Sequence, residues 1–179
     1  RGNHEEYFLQ FLQSPEDWYA PYMRNGGKET FESLLHSGAS EEYSPTEISM
    51  MIQSRYSELI KFLVQRPLYY EWENYLFVHA GVDLTKKDWR KTSPRDFIWI
   101  REPFHEGKNN TGKTIVFGHT ITPMLHGDMQ TTDLWIHDHK IGMDGGAVFG
   151  GSLHGVVFDK EGILQNIEYQ NNEGSWQGI

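Results

Sequence analysis

A mixed α/β chain of the α+β kind is predicted here by three observations. Apolar residues recur at helical spacing up to Pro67 and at strand spacing beyond it. Turn-forming residues punctuate both halves, and two short apolar runs lead straight into histidine-bearing loops. An apolar fraction of 37% with 14% aromatic residues argues against disorder, and 179 residues suit one domain with a sizeable core. The organisation expected is a single domain over 1–179, with 1–67 mostly helical and 68–179 mostly strands.

The elements follow in order. Phe8, Leu9, Phe11 and Leu12 mark a short helix over 5–13. Ser14-Pro15 restarts a helix, with Ser as N-cap and Pro in the first turn, and Trp18, Tyr19 and Tyr22 give it an aromatic face. Gly26-Gly27 breaks it, and a further helix over 28–36 ends at Gly38. Ser44-Pro45-Thr46-Glu47 is a capping box opening the longest expected helix, 45–65, which Pro67 stops. Residues 68–71 and 75–78 read as strands, the second leading to His79. Ser93-Pro94 opens a short helix, and 114–117 is a buried strand leading to Gly118-His119. Hairpins are expected from 134–136 with 141–143, and from 153–158 with 163–169.

Composition narrows the function. A net charge of −9 and a pI near 5.4 argue against nucleic acid as the main partner, since phosphate backbones need a basic surface. An acidic chain that takes a phosphorylated substrate must neutralise it locally, as bound divalent cations do. With no cysteine there is no disulfide framework and no thiolate metal site, which fits a reducing compartment. No apolar run is long enough for a membrane span, so no membrane association is expected and the cytoplasm is the expected location.

Three short words carry chemistry: Gly2-Asn3-His4-Glu5, His79-Ala80-Gly81 and Gly118-His119-Thr120. An Asn offers a neutral carbonyl oxygen to a hard cation, and the His after it can donate a proton to a leaving oxygen.

These words, in this order, resemble the phosphoprotein phosphatases of the serine/threonine type, within the calcineurin-like metallophosphoesterase superfamily. Residues 18–33 (WYAPYMRNGGKETFES), 99–104 (WIREPF) and 144–153 (DGGAVFGGSL) are similar to the bacterial branch, and the likeness runs from residue 1 to about 158. It implies a partial metallophosphoesterase β-sandwich flanked by helices, with the N-terminal third missing. It also implies that Asn3, His79 and His119 are ligands of one metal, that His4 is the proton donor, and that Arg101 holds phosphate. Two divalent cations would serve the whole enzyme, Mn²⁺ ahead of Fe²⁺ or Zn²⁺.

The family places Gly-Asp-x-His-Gly and Gly-Asp-x-x-Asp-Arg-Gly before the Gly-Asn-His-Glu word, and this sequence opens inside that word. The native N-terminus is therefore expected upstream, and the 179 residues alone are expected to be inactive. Gly145 also stands where the family usually has Thr.

Plainer readings stay open. Asn3 and His4 could form an ordinary turn, His79 and His119 could be packed core histidines, and Arg101 could pair structurally with Glu102. Glu5 is expected to hydrogen-bond locally. His137 and His139 are read as a solvated hairpin turn, and His36, His105, His126 and His154 as surface or packing residues, with His105 worth following because of its closeness to Arg101. The function expected is a phosphoric ester hydrolase, foremost a serine/threonine protein phosphatase, with a phosphorylated protein or nucleotide as substrate. A symmetrical diadenosine tetraphosphatase shares the motifs, and a non-catalytic binding module is the rival from another class.

Overall fold

The computed structural model describes residues 1–170. It is a mixed α/β structure with helices and two sheets. The chain divides into two compact units, Arg1–Pro67 and Leu68–Ile179, at the point where the hydrophobic period changes.

The first unit is helical: α1 (Asn3–Gln13), α2 (Pro15–Met23), α3 (Gly27–Leu34), α4 (Ala39–Glu42), α5 (Pro45–Arg55) and α6 (Ser57–Val64). Phe8, Phe11, Leu12, Tyr22, Phe31, Ile48 and Ile52 form its core. Helix α1 begins two residues before the expected start, because the Gly2 amide donates to Glu5 Oε2 at 2.7 Å and so satisfies the group just outside the first turn. At the other end, the Leu12 carbonyl accepts from Ser49 Oγ and Gln53 Nε2, both at 3.1 Å, which ties the end of α1 to α5. Pro15 sits in the first turn of α2 as expected, but Ser14 makes no side-chain cap. Its backbone N–H is instead used to close α1, donating a hydrogen bond to the Gln10 carbonyl.

Ser44 and Glu47 form the expected capping box of α5. The expected 45–65 helix is two helices, broken at Tyr56, whose φ of −124° and ψ of 34° are not helical. The Tyr56 hydroxyl donates to the Leu34 carbonyl, an anchor on α3 that a straight helix would have to forgo.

The second unit begins with β1 (Tyr69–Trp72) and β2 (Tyr75–Val78), then α7 (Pro94–Trp99), α8 (Glu102–His105), β3 (Thr114–Phe117) and α9 (Thr122–His126). Strands β4 (Trp135–His137), β5 (Lys140–Gly142), β6 (Asp144–Gly145), β7 (Ser152–Phe158) and β8 (Ile163–Gln170) follow. Five strands form one sheet in the order β1-β2-β3-β5-β4, and β6-β7-β8 form a second. Strands β2, β3 and β5 run parallel. Both expected hairpins are present. The first turns through Asp138 and His139 at φ 48° and 53°, the mirror-image turn that matches strand twist.

The three parallel strands at the centre of the larger sheet are buried on both faces, as expected for parallel strands. Ile115 and Phe117 of β3 face Trp89, Phe97, Ile98 and Phe104 on one side. Val116 faces the other way, in a cluster with Tyr75, Ile141, Phe158 and Ile163. Gly81 is a position where only glycine fits: its φ is 154°, and a Cβ would lie 2.5 Å from the Phe104 ring. The glycine of the His-Ala-Gly word therefore lets Phe104 pack beneath the loop that carries His79.

Candidate functional site at the carboxyl ends of the parallel strands

Strands β2 and β3 end side by side, and each hands the chain to a histidine. Gly118 N donates to the His79 carbonyl at 2.9 Å, one rung beyond the ladder, so the two loops leave the sheet together. The His79 and His119 rings lie 5.1 Å apart between centroids, tilted by 54°. Two imidazoles on one cation at metal–nitrogen distances of about 2.1 Å, spread at a near-tetrahedral angle, put their ring centres about 5 Å apart. The pair therefore fits a shared divalent ion. Among the described residues no three His, Asp or Glu side chains group together as a metal site; the expected donors are two imidazoles and an amide.

His119 has a φ of 66°, left-handed for a non-glycine residue, a conformation that costs about 1 kcal/mol or more. Strain of this kind at a strand end is often found at functional loops. The neighbouring Gly118 is less demanding, since a Cβ there would sit 3.6 Å from Asp144 Cβ, an ordinary contact. Trp99 meets the His119 ring edge-on at 5.4 Å and 86°, which limits how the imidazole can turn.

Arg101 is the residue just before α8, and its Nη1 donates to Thr120 Oγ1 at 3.0 Å. Among the described residues it makes no ion pair with Glu102, so the plain structural pairing is not what holds it. Thr120 thus links the guanidinium to the loop of His119, a role the sequence reading did not assign. Asp144 is a second omission. It opens β6 two residues after β5 ends, as His119 stands two residues after β3, and Met143 N donates to the Phe117 carbonyl at 2.9 Å between them. The sequence offers only a weak signal, an acidic residue soon after the short Ile141–Met143 run, in a stretch that reads as a structural turn. Open α/β sheets bind ligands beyond the carboxyl ends of their strands, and these residues cluster there.

Asn3 and His4 belong to the helical unit. Asn3 is buried at 4% exposure in the first turn of α1, while His4 is exposed. His4 lines a cleft of about 420 Å³ with Phe8, Tyr22, Glu29 and Leu63. Glu5 bonds locally to Gly2, as its position suggests.

The remaining histidines divide as their surroundings dictate. His137 and His139 are exposed in the β4–β5 hairpin. His154 is buried at 5% exposure and bonds to the Thr132 carbonyl at 2.7 Å and to Asn166, so it is a packing residue. His105 stacks on Phe117 at 5.7 Å with its Nε2 enclosed, and burial lowers its pKa to about 4. Glu102 opposes that shift while Arg101 and Lys140 reinforce it.

The consequence for stability has a definite sign. Between pH 6.5 and about 4 the unfolded chain takes up a proton at residue 105 that the folded chain refuses, so stability falls as pH drops through that window. Relative to wild type, His105→Phe is expected to keep roughly 1–2 kcal/mol more of its pH 7 stability at pH 4.5, after allowance for solvent screening. Urea unfolding of both proteins at the two pH values measures this, and equal losses would contradict it.

No known family model matches this chain, and no curated protein matches it either. No helix among the described residues is long and apolar enough to cross a membrane.

Proposed function

We propose that this chain carries part of a metal-dependent phosphoric ester hydrolase of the bacterial serine/threonine phosphatase type, in the calcineurin-like superfamily. The observation that carries the reading is the His79–His119 pair at the ends of adjacent parallel strands, with Arg101 tied to the same loop through Thr120.

Two divalent cations, Mn²⁺ ahead of Fe²⁺ or Zn²⁺, would supply the attacking hydroxide and neutralise the phosphoryl oxygens. His79 and His119 would hold one of them through ring nitrogens, and the resemblance assigns Asn3 as its third donor from this chain. Trp99 restrains the His119 ring. Arg101 presents a planar donor fork to two non-bridging phosphate oxygens, with one nitrogen fixed by Thr120. His4 gives a proton to the departing alkoxide of a phosphorylated serine or threonine. In the family this chain resembles, two aspartate motifs would supply the other cation's ligands.

The test is phosphatase activity in protein that carries those motifs, supplied with Mn²⁺. A phosphoserine peptide should be turned over faster than diadenosine tetraphosphate, and Arg101→Ala should raise the KM for the peptide by about 10–100-fold. Absence of Mn²⁺-dependent hydrolysis of both substrates would end the proposal. An unchanged KM would remove Arg101 from it.

A further inference from the structure

Lys140 opens β5 with only 1% of its surface exposed, although an ammonium is costly to take out of water. Its Nζ donates to three backbone carbonyls, those of Phe104 at 3.2 Å, His105 at 2.8 Å and Gly107 at 2.7 Å. Its three protons are thus all used. The nearest carboxylate, Asp138, stands 4.0 Å away and is itself occupied by the Asn109 amide. The rings of Phe104 and Trp135 flank the ammonium at 5.6 and 6.0 Å.

Those three carbonyls close the end of α8, and Arg101 stands at its start. The Arg101 carbonyl accepts from Phe104 N at 2.9 Å and from His105 N at 3.0 Å, so Arg101 and the carbonyl cup belong to one helical turn. Helix α8 has four residues, Glu102–His105, too few to hold its shape alone. A cation at its carboxyl end satisfies the carbonyls that have no partner within the helix and favourably meets its dipole. Strand β5, which carries Lys140, pairs with β3, and β3 leads to His119 and Thr120. The ammonium therefore fixes the turn that aims Arg101 to the same strands that carry the residue Arg101 grips.

We propose that Lys140 is a positioning residue for Arg101: it clamps the carbonyl end of the α8 turn to β5 and so holds the guanidinium on Thr120. The consequence for phosphate rests on the function proposed above; the clamp itself does not. An apolar residue of similar length would fill the space and leave three buried carbonyls without partners.

The experiment follows the Arg101 side chain directly, through the guanidinium Nη–H resonances of ¹⁵N-labelled protein, with Thr120→Val identifying the signal of a released guanidinium. In wild type the Arg101 Nη–H bonded to Thr120 should be shifted from those of the exposed arginines and protected from exchange. In Lys140→Met it should move toward the Thr120→Val position and exchange about tenfold faster, and in Lys140→Gln, which keeps part of the donor set, it should fall between. Lys140→Arg, which keeps the charge and several donors, should restore part of the protection.

An Arg101 signal identical to wild type in folded Lys140→Met, or in folded Lys140→Gln should the Met variant not fold, overturns the proposal. A structural role alone would lower stability and leave that signal in place. Inorganic phosphate, titrated into the same proteins, separates the two readings. Affinity should fall about tenfold in Lys140→Met and no further when Arg101→Ala is already present. If the Arg101 signal moves and phosphate affinity does not, Lys140 still positions Arg101 and the phosphate role of Arg101 is the part that fails.

Discussion

His4→Ala, in protein supplied with the aspartate motifs and Mn²⁺, is expected to lower kcat on a phosphoserine peptide by about 10²–10⁴-fold. The loss should depend on the leaving group. A serine alkoxide needs a proton as it departs, while p-nitrophenolate spreads its charge and leaves without one. The same substitution should therefore cost p-nitrophenyl phosphate hydrolysis at least about tenfold less. Damage to the fold does not explain such a loss, because His4 is exposed in the first turn of α1 and alanine is the best helix former. Steady-state kinetics on both substrates checks this. Wild-type turnover of the peptide would remove His4 from the chemistry, and equal losses on the two substrates would show that it acts other than as a proton donor.

Phe31→Ala carries the largest expected effect on stability. Phe31 is completely buried, with the Phe11 ring at 4.6 Å, Tyr22 edge-on at 5.5 Å and Tyr19 parallel at 6.1 Å. Removing the ring forfeits its transfer free energy and leaves a cavity among aromatic groups too rigid to collapse, about 3–5 kcal/mol in all. Residues 1–67 form a small compact unit, and small units bury a low fraction of their surface, so a loss of that size should unfold much of the population at room temperature. Hydrogen exchange of the α1, α2 and α5 amides reads the helical unit directly. Protection within about 1 kcal/mol of wild type would mean that the aromatic cluster contributes far less than its burial implies.

The legible parts of this chain were those that short-range chemistry dictates. The Ser44–Glu47 box, the Ser93 cap and the turn at Asp138-His139 follow from residue types at fixed offsets. The two histidines could be placed at strand ends because Tyr75–Val78 and Thr114–Phe117 are short apolar runs stopped by polar residues. What escaped was set by distant partners. The break at Tyr56 depends on a carbonyl 22 positions earlier. Ser14 looks like a cap but gives its backbone to the preceding helix. Lys140 reads as a surface lysine in a polar hairpin, and only the fold shows that its ammonium is buried against carbonyls 33 to 36 positions upstream. Thr120 likewise gains meaning only once Arg101 is beside it.

The most direct measurement is a Co²⁺ titration followed by visible absorption, with wild type beside His79→Ala, His119→Ala and His137→Ala. A shared site predicts a saturable visible band in wild type, with affinity reduced at least about tenfold by either of the first two substitutions. His137, exposed in the hairpin, should change nothing. Absence of binding in wild type, or binding indifferent to both His79 and His119, contradicts the account, since two imidazoles at the ends of neighbouring strands would then be packing alone.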